Sequence, residues 1–224
     1  MPDFTPEALL NAFLWYVAFL FSTTCHEASH ALAAKIGGDE TAALAGSLTL
    51  SPIPHIRREP LGMVVVPLLS IFLSGSMIGW ASAPFDPYWQ RRHPHRAGWM
   101  ALAGPAANFM LMTISGMLMR LGLQFGWFGP GQSGGGAALF VTVLHIFFTL
   151  NLLLGTFNLL PFPPLDGATG ITLLMPEQTA LRYLDWLSES SFRMVGLIAG
   201  VLFFGRIFHY IYGFTLHLFL YGLS

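Results

Sequence analysis

Cys25-His26-Glu27-Ala28-Ser29-His30 is the stretch that decides how this sequence is interpreted, because three ionisable side chains stand inside an apolar segment. From Ala8 to Phe21 the only strongly polar side chain is Asn11, and apolar residues resume after the stretch. Ionisable groups in a segment of membrane length are costly and usually have a function. Residues four apart lie on one face of a helix, so His26 and His30 should project together.

The spacing of these residues matches the HExxH motif. In that motif two imidazoles bind Zn²⁺, and the glutamate acts as general base toward a metal-bound water. The alternative is a pair of core histidines that are satisfied by their neighbours. That alternative also requires a buried Glu27 with no basic residue nearby except Lys35. The motif therefore favours zinc ligands at His26 and His30, with Glu27 as the base.

The composition is that of a membrane protein. The 224 residues are 54% hydrophobic and 9% charged, whereas soluble domains carry about 25% charged residues. A net charge of −1 gives no indication of a nucleic-acid partner, and a single cysteine, Cys25, excludes an intrachain disulfide. No basic region or small-residue cleavage site precedes the motif, so we expect the first span to be retained. Residues 1–224 are predicted to form one domain in a lipid bilayer.

The hydropathy pattern predicts an all-α polytopic fold with about four to six membrane segments. Four clear spans are expected at 8–36, 98–121, 137–160 and 192–222, the last as an accessory C-terminal helix. An interfacial helix is expected at 177–189. The alternating residues near 46–51 predict a short β segment, and Pro52 and Pro54 then argue against a helix.

The apolar stretch 61–83 is broken by Pro67 and several glycines, and it either crosses the membrane or re-enters. If it re-enters, eight of the ten basic residues fall on one side of the membrane. These are Lys35, Arg57, Arg58, Arg91, Arg92, Arg96, Arg182 and Arg193. A full crossing would divide them between both faces. The positive-inside rule therefore favours a re-entrant hairpin at 61–83 and places the metal near the cytosolic face.

A catalytic zinc takes three protein ligands and keeps one position open. Apart from Glu27, Asp166 is the one acid that abuts an apolar span in a motif-like setting, at Pro164-Leu165-Asp166-Gly167. Glu59 and Asp86 lie at the rim. Asp-Gly is also common in turns and helix caps, and on these grounds alone that is the simpler explanation for Asp166.

Three segments in order resemble the site-2 protease family of intramembrane zinc metalloproteases, most closely its compact prokaryotic members. They are His26-Glu27-Ala28-Ser29-His30, Gly104-Pro105-Ala106-Ala107-Asn108, and the run from Asn158 to Gly167, and the resemblance covers residues 8–175. It implies that His26, His30 and Asp166 bind one Zn²⁺ per chain and that Glu27 is catalytic. It further implies that Asn158 binds the substrate backbone or stabilises the oxyanion. Ser29 and Ala168 depart from the glycines that are common in the family.

The resemblance also implies a function: hydrolysis of peptide bonds in or near transmembrane segments of membrane-spanning protein substrates, in regulated intramembrane proteolysis. The expected location is multi-pass in the prokaryotic inner membrane. Two alternatives use the same residues. A membrane zinc transporter or sensor would favour a ladder of embedded ligands, whereas the sequence offers one cluster. A catalytically idle scaffold would not need Glu27. Neither the oligomeric state nor the individual substrate follows from the sequence.

Overall fold

The computed structural model describes residues 5–74, 77–127, 135–189 and 193–221, and these ranges contain helices but no strand. The helices are α1 (Pro6–Gly37), α2 (Thr41–Leu44), α3 (Pro52–Arg58), α4 (Val66–Ser74), α5 (Pro87–Arg92), α6 (Pro94–Gln124), α7 (Gly135–Asn158), α8 (Asp166–Gly170), α9 (Glu177–Glu189) and α10 (Arg193–Leu220). A π-helical turn, Leu61–Val65, precedes α4, and a 3₁₀ turn, Ile171–Leu174, follows α8.

Four of the described helices are long and apolar enough to cross a membrane: α1, α6, α7 and the part of α10 from Val195 to Leu220. The ends of α1 follow from local chemistry. The Thr5 hydroxyl accepts a hydrogen bond from the Ala8 N–H, Pro6 opens the first turn, and Gly38 ends the helix with a left-handed φ of 98°. The predicted all-α polytopic membrane fold is confirmed.

Helix α6 lies at the centre of the bundle, between α1 and α7. Small residues permit this close packing. A Cβ added at Gly155 of α7 would lie 3.1 Å from the Phe109 ring, and one at Gly116 of α6 would lie 2.6 Å from Phe219 of α10. Helix α10 packs on the outside of α7, where the Phe157 and Phe204 rings are 5.3 Å apart. The helices that carry the motif residues thus form the inner part of the bundle.

The apolar segment 61–83 turns back on itself. The Trp80 N–H donates to the Gly62 carbonyl over 3.0 Å, and the Ser82 hydroxyl donates to the Glu59 carboxylate over 2.5 Å. Residues 77–86 form neither helix nor strand. The segment therefore returns to the level at which it began, as the predicted re-entrant hairpin requires.

Asp39, just after α1, is linked to the residues that follow this hairpin. Its carboxylate accepts hydrogen bonds from the Thr41 N–H at 2.9 Å and from the Asp86 N–H at 2.8 Å, and its side chain is buried. Burial raises the pKa of the Asp39 carboxyl, but these hydrogen bonds outweigh that effect, and the net pKa is below its usual value. This link places the C-terminal end of α1 and the start of α5 at the same face of the bundle.

The predicted β segment at 46–51 is wrong, and so is the exclusion of a helix after it. Residues 46–50 form a turn and bends, with Gly46 at a φ of 77°. An alternating pattern cannot become a strand without a partner to accept its main-chain hydrogen bonds, and none is present in the described ranges. Pro52 and Pro54 lie in the first turn of α3, where the missing proline N–H costs no helical hydrogen bond.

The hairpin predicts that residues 40 and 92 face the same side of the membrane. Glu40→Cys and Arg92→Cys, each in a Cys25→Ala background, should react with a membrane-impermeant maleimide from one side of sealed vesicles, since both positions are exposed. Phe125→Cys, exposed at the far end of α6, is the control and should react from the other side. Labelling of positions 40 and 92 from opposite sides would contradict the hairpin.

Candidate metal centre

Three donor atoms from two separate parts of the chain meet in the bundle. The Nε2 atoms of His26 and His30, one turn apart on α1, are 3.0 Å from each other. The Asp166 Oδ2, at the start of α8, lies 3.0 Å from His26 Nε2 and 3.4 Å from His30 Nε2. Neighbouring ligands of a tetrahedral zinc with bonds of about 2.0–2.1 Å are roughly 3.3 Å apart. The triangle of donors has the dimensions of a zinc site.

Hydrogen bonds on the far side of each ring fix which nitrogens face the centre. The His30 Nδ1 is 2.8 Å from the Met100 carbonyl oxygen, which can only accept, so this nitrogen carries the hydrogen. The His26 Nδ1 is 2.6 Å from the Asn108 Oδ1, also an acceptor. In the neutral rings both Nε2 atoms therefore hold lone pairs that point at each other and at a carboxylate. This arrangement calls for a cation.

The Asn108 amide is itself oriented by a buried chain of hydrogen bonds. The Asn151 Nδ2 donates to the Phe147 carbonyl and to the Ser22 hydroxyl, both over 2.9 Å. Its Oδ1 is thus free to accept from the Asn108 Nδ2, at 2.9 Å, which leaves the Asn108 Oδ1 for His26. Ser22, Asn108 and Asn151 are fully buried. We call this the Ser22–Asn151–Asn108 relay; it connects α1, α7 and α6 to one zinc-ligand candidate.

Two further observations support a bound cation. The Asp166 Oδ2 is buried and makes no hydrogen bond. In addition, a Cβ added at Gly104 of α6 would lie 2.4 Å from His30 Nε2 and 2.5 Å from His26 Nε2. Glycine therefore leaves room beside the donor atoms that any other residue would fill. Two imidazoles and one carboxylate suit Zn²⁺, so the residues fit the metal that the motif predicts.

The broken backbone before α8 brings Asp166 to the histidines. Pro161, Pro163 and Pro164 end the helical path, and the Leu165 N–H donates to the Phe162 carbonyl over 2.9 Å. A Cβ at Gly167 would lie 2.2 Å from the Leu159 carbonyl oxygen, so this turn requires glycine. Ala168 packs against Leu184 and Leu187 of α9.

Glu27 lies beside the donor triangle rather than in it. Its side chain is buried, and one of its carboxylate oxygens and a ring nitrogen of each histidine all lie within 4.8 Å of one another. Glu27, His30 and Asp166 line a cavity of about 220 Å³ together with the irregular residues from Ala81 to Phe85. The cavity therefore borders Glu27 and two of the three donor residues.

Asn158 does not join this cluster. Its Nδ2 donates to the Leu154 carbonyl one turn earlier in α7, over 3.0 Å. It is half-buried and is not among the residues that line the cavity. Its assignment to oxyanion stabilisation stays a prediction. The departure at Ser29 is accommodated locally, because its hydroxyl donates to the Cys25 carbonyl of the same helix.

No pattern in the sequence connects the three residues of the relay. The only available signal was that Asn108 and Asn151 are amides inside apolar spans, with Asn108 one turn after Gly104.

Comparison with known proteins adds three relatives. A Bacillus subtilis protein named "Putative zinc metalloprotease YwhC" is 35% identical over 182 residues, which cover 75% of each chain. A Mycobacterium tuberculosis protein of strain Erdman named "Putative zinc metalloprotease Rip2" is 32% identical over 209 residues, 91% of this chain and 75% of the relative. Its Mycolicibacterium smegmatis namesake is 29% identical over 163 residues, 72% and 58% of the two chains. No family model and no solved structure matches.

We expect the purified protein to hold about one zinc per chain and Asp166→Ala to hold much less, because the change removes one of three donors. Asp86→Ala is the control, since the Asp86 carboxylate caps α5 and lies outside the donor triangle. Zinc content measured by atomic emission after dialysis decides between the two acids. Full zinc in Asp166→Ala together with loss in Asp86→Ala would refute the assignment.

Asn108→Ala should weaken zinc binding about 10- to 100-fold, which is the usual effect of losing an outer-shell partner of a histidine ligand. Asn151→Ala should also weaken zinc binding, because it removes the hydrogen bond that orients the Asn108 amide. The measurement is the rate and extent of zinc loss to a chelator. Ser115→Ala is the matched control on α6, since the Ser115 hydroxyl is buried and bonds only its own helix. Equal zinc retention in Asn108→Ala and Ser115→Ala would exclude the positioning role.

Proposed function

This chain belongs to the zinc metalloprotease family of YwhC and Rip2, and we propose that within it the chain acts as an intramembrane endopeptidase of the site-2 protease type. The substrates would be membrane-spanning proteins that are cut in or near their transmembrane segments. One observation carries the proposal: a zinc-type donor triangle and a buried glutamate lie together at a cavity inside a bundle of apolar spans.

Glu27 has the position of a general base. Zinc held by His26, His30 and Asp166 would supply Lewis-acid chemistry, which acidifies water and polarises a peptide carbonyl. Glu27 accepts the proton of the attacking water and delivers it to the leaving amine. Its carboxylate is close enough to the donor atoms for this and is separate from the triangle. The relay and the Met100 carbonyl keep the ring hydrogens of the histidines away from the reacting groups.

The irregular residues 81–85, which line the same cavity as Glu27, are suited to bind an unwound substrate. A helical segment must open locally before its peptide bond can be reached. Within the described residues, Ala81, Ala83 and Phe85 make no main-chain hydrogen bond. Their free N–H and C=O groups can pair with an extended substrate across the cavity. We assign the main-chain contact with the substrate to residues 81–85.

The reaction would take place near the cytosolic face of a prokaryotic inner membrane. His26 lies 11 residues before the end of α1 at Gly37, about 16 Å along the helix. The hydrocarbon core is roughly 30 Å thick. His26 is 20 residues from the start of α1 at Pro6, about 30 Å, so the donor triangle is inside the membrane and nearer the end of α1 at Gly37. The hairpin and α5 emerge at that end, together with the basic residues Arg57, Arg91 and Arg92.

Glu27→Gln should reduce cleavage of a single-span substrate by about 10²- to 10⁴-fold, the usual effect of losing a general base, while zinc remains bound. Glutamine keeps the size and hydrogen-bonding capacity of the side chain but cannot accept the proton. The measurement is proteolysis of a panel of single-span proteins co-reconstituted in vesicles, with zinc content determined on the same samples. Glu177→Gln, exposed on α9, is the matched control.

Three outcomes separate the proposal from its alternatives. A zinc transporter would keep its flux in Glu27→Gln. An idle scaffold would keep its partner binding in that variant, and its wild-type form would show no cleavage. Cleavage by Glu27→Gln at the wild-type rate would defeat the mechanism regardless of metal content.

A further inference from the structure

Arg206 is a cation on the outer surface of the last membrane span. It is the one Lys, Arg, Asp or Glu between Arg193 and the end of the sequence. Its side chain is exposed, and within the part of the chain that the structure describes it makes no ion pair and no hydrogen bond. A charged side chain inside a span usually faces a bundle interior or a polar partner. Arg206 instead faces the lipid side of α10.

Contacts near both ends of α10 place Arg206 at depth. Near the start, a Cβ at Gly196 would lie 2.4 Å from the Pro163 carbonyl oxygen, in the loop that leads to Asp166. Near the end, the Arg120 guanidinium donates to the carbonyl oxygens of Phe219 and Tyr221 at 2.8 and 3.1 Å. Arg206 is 10 residues from Gly196 and 13 from Phe219, roughly 15 and 20 Å along the helix. It therefore lies near the middle of a core about 30 Å thick.

No carboxylate among the described residues pairs with this cation. Of its eleven acids, only Glu7 and Glu27 occur within the four spanning helices. Glu7 lies in the first turn of α1, and Glu27 is buried beside the metal site. Asp166 belongs to the donor triangle. The counter-charge for Arg206 must come from outside the chain.

The surface around Arg206 is shaped for a helix. We define the Arg206 face as Leu202, Arg206, His209 and Gly213, which follow one another at helical spacing and are all exposed. A Cβ added at Gly213 would have no atom within 4 Å, and neither would one at Gly205 beside the face. Glycines at a lipid-facing surface let a second backbone approach closely, and His209 adds another polar group one turn from Arg206.

We propose that the Arg206 face is a docking surface for a transmembrane helix of another protein that carries an aspartate or glutamate near mid-membrane. A second copy of this chain is a poor occupant. A symmetric pair in the membrane would bring two Arg206 side chains together at the same depth, and the described parts of its spans offer no free carboxylate at that depth. The inference does not depend on protease activity, because α10 contributes no donor atom to the metal centre.

The test uses the full-length protein in phosphatidylcholine vesicles and a synthetic leucine–alanine transmembrane peptide with one central aspartate. Association is measured by fluorescence energy transfer between labelled protein and labelled peptide. The aspartate peptide should bind wild type about tenfold more tightly than a peptide with leucine at that position, because polar contacts between membrane helices contribute about that much. Arg206→Leu should abolish the difference, and Arg206→Lys, which keeps the cation, should retain most of it.

Arg57→Leu is the charge-matched control: it removes the same charge from an exposed position outside the spans and should bind like wild type. Zinc content of each variant reports whether the bundle has folded. Equal binding of the two peptides to wild type, or unchanged aspartate-peptide binding by a zinc-loaded Arg206→Leu, would overturn the proposal. Energy transfer between copies of the protein that Arg206→Leu abolishes would also overturn it and would assign the face to a second copy. Loss of peptide binding when phosphatidylglycerol is added would overturn it as well and would assign the face to lipid headgroups.

Discussion

Two imidazole nitrogens and one carboxylate oxygen lie within 3.4 Å of each other inside a bundle of membrane helices, and in the neutral rings each nitrogen directs a lone pair toward the others. Lone pairs in that arrangement repel each other, and the repulsion is stronger in a low-dielectric interior than in water. A cation removes it. Helices α1, α6 and α8 all take part in this centre, since each contributes a donor, a hydrogen bond to a donor ring or the space that Gly104 leaves open.

The buried amides and both imidazole rings at this centre are hydrogen-bonded within the protein. A membrane interior supplies no water to unpaired polar groups, so each must be satisfied within the protein. The Ser22–Asn151–Asn108 relay does this over three helices and ends on His26. His30 is satisfied by a main-chain carbonyl of α6. The same contacts therefore pack the helices and fix the orientation of both imidazole rings.

Irregular backbone occurs in the two places where a hydrolytic site needs it. The proline-rich loop before Asp166 and the irregular residues 81–85 both border the cavity that Glu27 lines. Non-helical backbone at membrane depth is tolerated where it lines a polar cavity or is covered by protein. The cavity and the third metal-ligand candidate therefore come from the same departures from helix. Arg206 is the contrasting case, because its charge has no partner among the described residues and so directs attention to another molecule.

The sequence by itself determined the features that depend on local pattern. Span lengths and hydropathy located all four membrane helices, and the four-residue spacing of His26 and His30 placed both rings on one helical face. The distribution of basic residues predicted the re-entry of 61–83. Asp166 required the family resemblance, because an Asp-Gly turn alone carries no information about a residue more than a hundred positions away.

The tertiary structure decided the rest. Residues 46–51 became a turn because no strand occurs in the described ranges to pair with them. Asn108 acquired its role only when α6 and α7 brought Asn151 beside it and α1 brought His26. Hydrogen bonds between side chains on different helices depend on the rotation and depth at which those helices pack, and no local sequence pattern specifies either.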